Sequence, residues 1–296
     1  MKCLVVLLTV LTAIYAKDLA RLVPEENTAY GYLANIGIPE AERLRKAEEE
    51  YLVESYAKII GGQPSQLGLI PYQAGLVVSI IGAEGVALCG GVLISNRRVL
   101  TAAHCWYDGR NQAWRFTVVL GSVTVFSGGL RIDTSSVVSH PEYSAQLARN
   151  DIAAIYLPDR VSTTPTIVPI ALPSGIDLYN HFAGSSALAS GYGVTSQSGS
   201  ISLNQFLNYV NVPVISNAEC LATFPRTLQP SNICTSGVGT KGACHGDSGG
   251  PLAVYRNNRW ILIGINSFGS SEGCEAGLPT AFTRITSYMT FIYQNL

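Results

Sequence analysis

Apolar and polar positions divide the chain into three stretches of different character. Met1-Lys2 is followed by a mostly apolar run from Cys3 to Ala16. A positive start, a short apolar core and a small residue at Ala16 predict a secretory signal peptide over residues 1–16. The run is shorter than the roughly 20 apolar residues that span a bilayer. Residues 17–58 alternate differently, with nine acidic and six basic residues and no cysteine. Within them, Pro39-Glu40-Ala41-Glu42-Arg43-Leu44-Arg45-Lys46-Ala47-Glu48-Glu49-Glu50 predicts a helix, because proline suits the first turn and Glu, Leu, Ala and Arg continue it well. Beyond Ile59 the pattern becomes short β-branched runs separated by glycine and proline. Gly91-Val92-Leu93-Ile94, Phe116-Thr117-Val118-Val119-Leu120 and Trp260-Ile261-Leu262-Ile263-Gly264-Ile265 read as strands of an all-β domain with frequent turns. At the end, Tyr288, Phe291 and Ile292 fall at helical spacing and predict a closing helix over 287–294.

Composition narrows the classes. At 296 residues the chain has material for one large domain or two moderate ones. With 47% hydrophobic residues, 13% charged residues and 29 glycines it is globular and turn-rich rather than disordered. A formal net charge of −1 gives no reason to expect a nucleic-acid partner, and no later stretch is long and apolar enough for a membrane span. Seven cysteines are present; Cys3 leaves with the signal. The remaining six, Cys89, Cys105, Cys220, Cys234, Cys244 and Cys274, form an even set in a secreted chain, so disulfides are expected, with the pairing open. No C-x-x-C or Cys/His cluster points to metal. Neither a metal nor a cofactor is expected.

Chemistry concentrates in Gly242-Ala243-Cys244-His245-Gly246-Asp247-Ser248-Gly249-Gly250-Pro251. One serine stands among glycines, directly after an acid. A serine hydroxyl becomes a nucleophile when a base takes its proton and backbone N–H groups hold the developing oxyanion. Flanking glycines let those groups approach a carbonyl with no side chain in the way. Thr101-Ala102-Ala103-His104-Cys105 and Asn150-Asp151-Ile152-Ala153 supply a base and an orienting carboxylate. The order His104, Asp151, Ser248, with serine nearest the C-terminus, is one known order of the Ser-His-Asp triad. His140, His181 and His245 read as structural.

On these motifs the chain resembles the chymotrypsin-like serine endopeptidases, arthropod digestive chymotrypsins in particular. The resemblance covers nearly all of residues 59–296 and includes Ser190-Gly191-Tyr192-Gly193 and Pro279-Thr280-Ala281-Phe282-Thr283-Arg284. It implies two packed six-stranded antiparallel Greek-key barrels with a C-terminal helix. It also implies disulfides Cys89–Cys105, Cys220–Cys234 and Cys244–Cys274, and an oxyanion hole made by the N–H groups of Gly246 and Ser248. The division that follows is a signal peptide at 1–16, an activation propeptide at 17–58 and a protease domain at 59–296. Cutting Lys58–Ile59 would free the Ile59 amine to pair with Asp247 and so switch on an inactive precursor. The loop from Gly121 to Leu130 lacks the glutamates that hold calcium in some relatives, so no calcium is expected there.

Specificity follows from positions matched to the family. Gly242 stands where trypsin-like members carry an aspartate, so a basic substrate side chain would be buried unpaired. Gly269 stands where bulkier residues close the pocket in elastase-like members. Thr280 narrows the base, and Ser267-Phe268-Gly269 would pair with substrate as an added strand. Cleavage after Phe, Tyr and Leu is expected, with elastase-like or collagenolytic activity as the alternative, or a non-catalytic secreted binding protein on the same fold. The absence of cysteines in 17–58 argues against a tethered cascade protease. Eleven arginines against one lysine after Ile59 fit, as an expectation, an alkaline gut lumen. Expected partners are protein substrates, a trypsin-like activating protease and proteinaceous inhibitors.

Overall fold

The structure, a computed structural model, describes residues 27–57, 67–193, 206–239, 242–244 and 246–296, with backbone only at 51–57. The signal peptide, the Lys58–Ile59 junction and His245 lie outside the described residues. Thirteen strands, three α-helices and several short 3₁₀ turns make up the described chain, with a π-turn at Leu33–Gly37 leading into the first helix.

The first seven strands form one antiparallel sheet: β1 (Gln73–Ile80), β2 (Val86–Ser95), β3 (Arg98–Thr101), β4 (Ala113–Leu120), β5 (Leu130–Thr134), β6 (Val137–Ser139) and β7 (Ala153–Tyr156). Their order across the sheet is β5-β4-β1-β2-β3-β7-β6. Two of them belong to one extended run. Residues 130–134 pair with β4 at one edge, and 137–139 pair with β7 at the other. The sheet therefore curls until a single stretch of chain serves both edges, which is how the six strands implied by the resemblance become seven. The break falls at Ser135-Ser136, where Thr134 Oγ1 and the Ser136 carbonyl both bond the backbone of Tyr156.

A second set closes completely in the order β10-β13-β12-β11-β8-β9. It comprises β8 (Ser186–Gly191), β9 (Asn208–Ile215), β10 (Asn232–Thr235), β11 (Pro251–Arg256), β12 (Arg259–Phe268) and β13 (Thr280–Arg284). Its interior is filled by Val212, Ile233, Leu252, Ile263 and Phe282, inward-facing residues of five neighbouring strands, and by Phe182 from the turn before β8. A larger cluster fills the first sheet and extends through Leu188, Leu262 and Ile285 into the joint with the second. β1 is buried along its whole length, which explains why its sequence lacks a clean polar face.

The two barrels pack backbone against backbone beside the serine loop. A Cβ on Gly90 would lie 2.9 Å from both N and Cα of Gly250, and the Gly90 N–H bonds the Ser248 carbonyl at 2.7 Å. Only glycine permits that approach. The predicted strands fall inside β2, β4 and β12, and the closing helix appears as a 3₁₀ turn at Ile285–Tyr288 running into an α-helix, Met289–Gln294.

The helix predicted from Pro39 is α1 (Ile38–Ala57). It does not extend away from the barrels. Ala41, Leu44, Ala47 and Glu48 are buried, and Gly37 packs so tightly that an added Cβ would lie 2.7 Å from that of Ala87 in β2.

Candidate active site

His104 sits in a 3₁₀ turn, Ala103–Cys105, that ends the third strand, and the Cys89–Cys105 disulfide ties this turn to β2. Asp151 follows Asn150, whose positive φ of 52° is a conformation asparagine tolerates better than most residues. Glu142 and Tyr288 hold the Asn150 side chain through bonds of 2.8 and 2.9 Å, so the turn delivering Asp151 is fixed from both sides.

The carboxylate and imidazole meet in full burial. Asp151 Oδ2 is 2.8 Å from His104 Nδ1, and Asp151 Oδ1 accepts from the His104 backbone N–H at 2.9 Å. Ser267 donates its hydroxyl to Asp151 Oδ2 at 2.6 Å. An anion so placed holds the ring with Nδ1 protonated and Nε2 free to act as a base.

Ser248 is not hydrogen-bonded to that base. His104 Nε2 is buried and has no hydrogen-bond partner among the described residues. The neighbouring space holds Tyr32, from the segment before α1. Its ring stands edge-on to the imidazole, with centroids 4.9 Å apart, and its hydroxyl donates to the Leu88 carbonyl at 2.9 Å. Burial pushes the Tyr32 phenol up, against the bonds offered by the Ser248 side chain and the Gly246 backbone; the charges of Asp247 and Glu40 push it further. Tyr32 and Ser248 thus line the same cleft, with the tyrosine oxygen held on the Leu88 carbonyl.

Asp247 is turned inward. Its carboxylate accepts from the N–H of Gly193 at 2.8 Å and of Cys244 at 2.9 Å. Burial pushes its pKa to about 6; the two backbone donors pull it down and Glu40 pushes it up. Ile59, its expected partner, lies outside the described residues.

Below Ser248 a cleft is lined by Ala243, Ser267, Phe268, Gly269 and Thr280 together with Thr28, Tyr32 and Ile36. At Gly269 an added Cβ would meet nothing within 4 Å, so the mouth is open. Gly242 stands behind the cleft facing Thr280, whose hydroxyl oxygen would be 3.5 Å from an added Cβ. The pairs Cys89–Cys105, Cys220–Cys234 and Cys244–Cys274 are all disulfide-bonded, the last closing the serine loop against the pocket wall. His140 packs on Tyr288 and Phe291 and stays away from the site.

The structure therefore brings together His104, Asp151, Asp247, Ser248, Ser267, Gly269 and Thr280. Sequence reasoning missed the second task of Ser267, which is to hold Asp151, and missed Thr283, whose hydroxyl donates to the Asp151 carbonyl at 2.7 Å. It also missed Thr28 and Tyr32 in the cleft. A signal for them existed: Ala29-Tyr30-Gly31-Tyr32-Leu33 is an apolar run inside an otherwise charged segment, and such a run needs a surface to bury against.

A serine on the seam of two antiparallel β-barrels, backed by a buried imidazole–carboxylate pair, defines the trypsin-fold serine hydrolases. The chain belongs to the trypsin family: the family described as Trypsin matches residues 59–292, and the protein is a serine endopeptidase. It is 39% identical to a protein named Collagenase from Hypoderma lineatum, over 80% of this chain and 87% of that one. It is 37% identical to Brachyurin from Leptuca pugilator, over 79% and 96% of the two chains. Serine protease 1 of Drosophila melanogaster is 34% identical over 80% and 85%. A solved structure of HL collagenase superimposes with a TM-score of 0.71 at 39% identity, covering 80% of this chain and 98% of the other.

Proposed function

We propose that this protein is a secreted endopeptidase, made as an inactive precursor, that cuts peptide bonds after Phe, Tyr and Leu and serves digestion. Ser248 Oγ attacks the substrate carbonyl while His104 Nε2 takes its proton. The C–N bond breaks, the leaving amine takes that proton from His104, and water repeats the sequence to release the acyl group. Asp151 holds the ring and stabilises the imidazolium. The N–H groups of Gly246 and Ser248 bind the oxyanion. The buried His104–Asp151 pair, with an Nε2 left unpartnered among the described residues, is the observation that carries this reading.

Residues 1–16 would leave as a signal and 17–58 as an activation propeptide. The cut after Lys58 provides a cation for Asp247, a carboxyl whose burial currently costs more than its two backbone donors return. Because Gly242 offers no charge to a lysine, a separate trypsin-like protease makes that cut. The open mouth at Gly269 and the apolar wall of Ala243 and Phe268 support a large apolar residue in the pocket. A second reading, elastase-like or collagenolytic cleavage, is favoured by the Thr280 hydroxyl at the base and by relatives named Collagenase and Brachyurin.

The test treats purified precursor with trace trypsin, quenches the trypsin, and assays chromogenic peptides ending in Phe, Leu, Ala and Arg. Hydrolysis at Phe or Leu that appears only with an Ile59 N-terminus supports the first reading. Preference for Ala, or efficient cutting of native collagen, moves it to the second. Cleavage of Arg peptides after the quench overturns the assignment of Gly242.

A further inference from the structure

We propose that residues 27–50 are an intramolecular inhibitor of the protease domain, and that the domain retains affinity for this segment after the chain is cut. The proposal rests on the cut after Lys58 proposed above; membership of a protease family stands independently of it.

The segment occupies the places a substrate needs. Thr28 Oγ1 accepts the Gly269 N–H at 3.0 Å, taking a backbone donor of the strand on which substrate would align. Tyr32 stands edge-on to the His104 ring and lines the cleft with Ser248. Its backbone is not that of a substrate. The Tyr30 N–H bonds the Asn27 carbonyl and the Tyr32 N–H bonds the Ala29 carbonyl, so the segment is coiled in turns with Gly31 at φ +71°. A protease grips an extended strand. A turn in the cleft obstructs without presenting a bond to cut.

Anchors fall on both barrels. Ala29 is buried in a cluster with Phe224 and Phe268 of the second. On the first, Asp108 accepts the Leu33 N–H at 2.8 Å on its carboxylate and the Gly31 N–H at 2.9 Å on its carbonyl. Further along, the Glu48 carboxylate accepts the N–H groups of Val125, Phe126 and Ser127 and the Ser127 hydroxyl. Every one of these contacts precedes residue 51. Cutting at Lys58 leaves them intact, and with no cysteine in 17–58 the segment would be retained by non-covalent contacts such as these.

The experiment compares full-length wild-type, Tyr32→Ala and Glu48→Gln precursors cut briefly by trypsin, with the intact mass of the released segment verified. All three yield an identical mature domain, so any difference belongs to the segment. The wild type is expected to retain the segment on gel filtration at micromolar concentration and to show a hydrolysis lag that shortens on dilution. The Tyr32→Ala precursor should lose the lag and at least tenfold of the retention. Capped peptide 27–50, added back to stripped mature enzyme, should inhibit it, and the Tyr32→Ala peptide should do so at least tenfold more weakly. Full activity of the wild type at the moment of cutting, with the segment eluting separately, overturns the proposal. If stripped enzyme hydrolyses nothing, the protease assignment fails while retention on gel filtration still decides this one.

Discussion

Replacing Glu48 by alanine measures how firmly the segment before the protease domain is latched. Glu48 Oε1 accepts the Val125 N–H at 2.6 Å, and its Oε2 accepts from Phe126 at 3.0 Å, from the Ser127 N–H at 2.9 Å and from the Ser127 hydroxyl at 3.0 Å. Val125 is fully buried, so its orphaned N–H would carry about 1–3 kcal/mol of lost solvation. Phe126 and Ser127 are half-buried and recover water, at about 0.5–1 kcal/mol each. Relief from burying a carboxylate offsets part of this, leaving about 2–3 kcal/mol. At about 1.4 kcal/mol per decade, the segment should lift from the domain some 30- to 150-fold more often. Amide hydrogen exchange of uncut Glu48→Ala precursor reads that ratio at residues 38–50 and 121–130, with β12 amides as an internal control. Glu48→Gln, which keeps one acceptor oxygen, should show about half the effect on a logarithmic scale. Exchange accelerated less than threefold in the alanine variant would refute the reasoning.

Two further outcomes are expected. Asp247 titrates at about 6 in the precursor against an ordinary 3.8, because burial disfavours its anion. The folded precursor then holds a proton that the unfolded chain releases, so this group's contribution to stability declines as pH rises from about 4 to about 6, by up to about 3 kcal/mol, and is flat above. Denaturant midpoints at pH 4.5 and 6.5, compared between wild type and Asp247→Asn so that other carboxylates cancel, check this; equal slopes in the two proteins count against it. In the substrate cleft, Thr280→Gly should deepen the pocket and raise the Phe-to-Ala ratio of kcat/KM about tenfold. A ratio unchanged within twofold means Thr280 does not form the base.

The sequence made the chemistry legible because the triad motifs are local: a histidine next to a disulfide cysteine, an Asn-Asp pair at a turn, a serine among glycines. Strands were legible where β-branched residues cluster, as in β4 and β12. The docking of α1 was not. Its buried positions among residues 38–50 are Ala41, Leu44, Ala47 and Glu48, two small residues, one leucine and an acid. That set makes only a narrow stripe of mostly small side chains, and the partner of Glu48 is a row of backbone amides that leaves no mark in sequence. Nor could the double duty of Ser267 be read, since its hydroxyl and Asp151 are brought together only by the closing of two barrels.

The run from Leu130 to Ser139, whose halves pair at opposite edges of the first sheet, has a consequence for survival among like molecules. An endopeptidase recognises its targets as strands added to its own edge, so any free, extended strand on a neighbour is bait. The second barrel is closed, and the first spends a single stretch of chain covering both of its margins. Among the described residues the margins of the first sheet are strands of only five and three residues, short borders for another copy to seize. Self-digestion of concentrated enzyme is therefore expected to fall in the connecting loops, which mass spectrometry of autolysis fragments would locate.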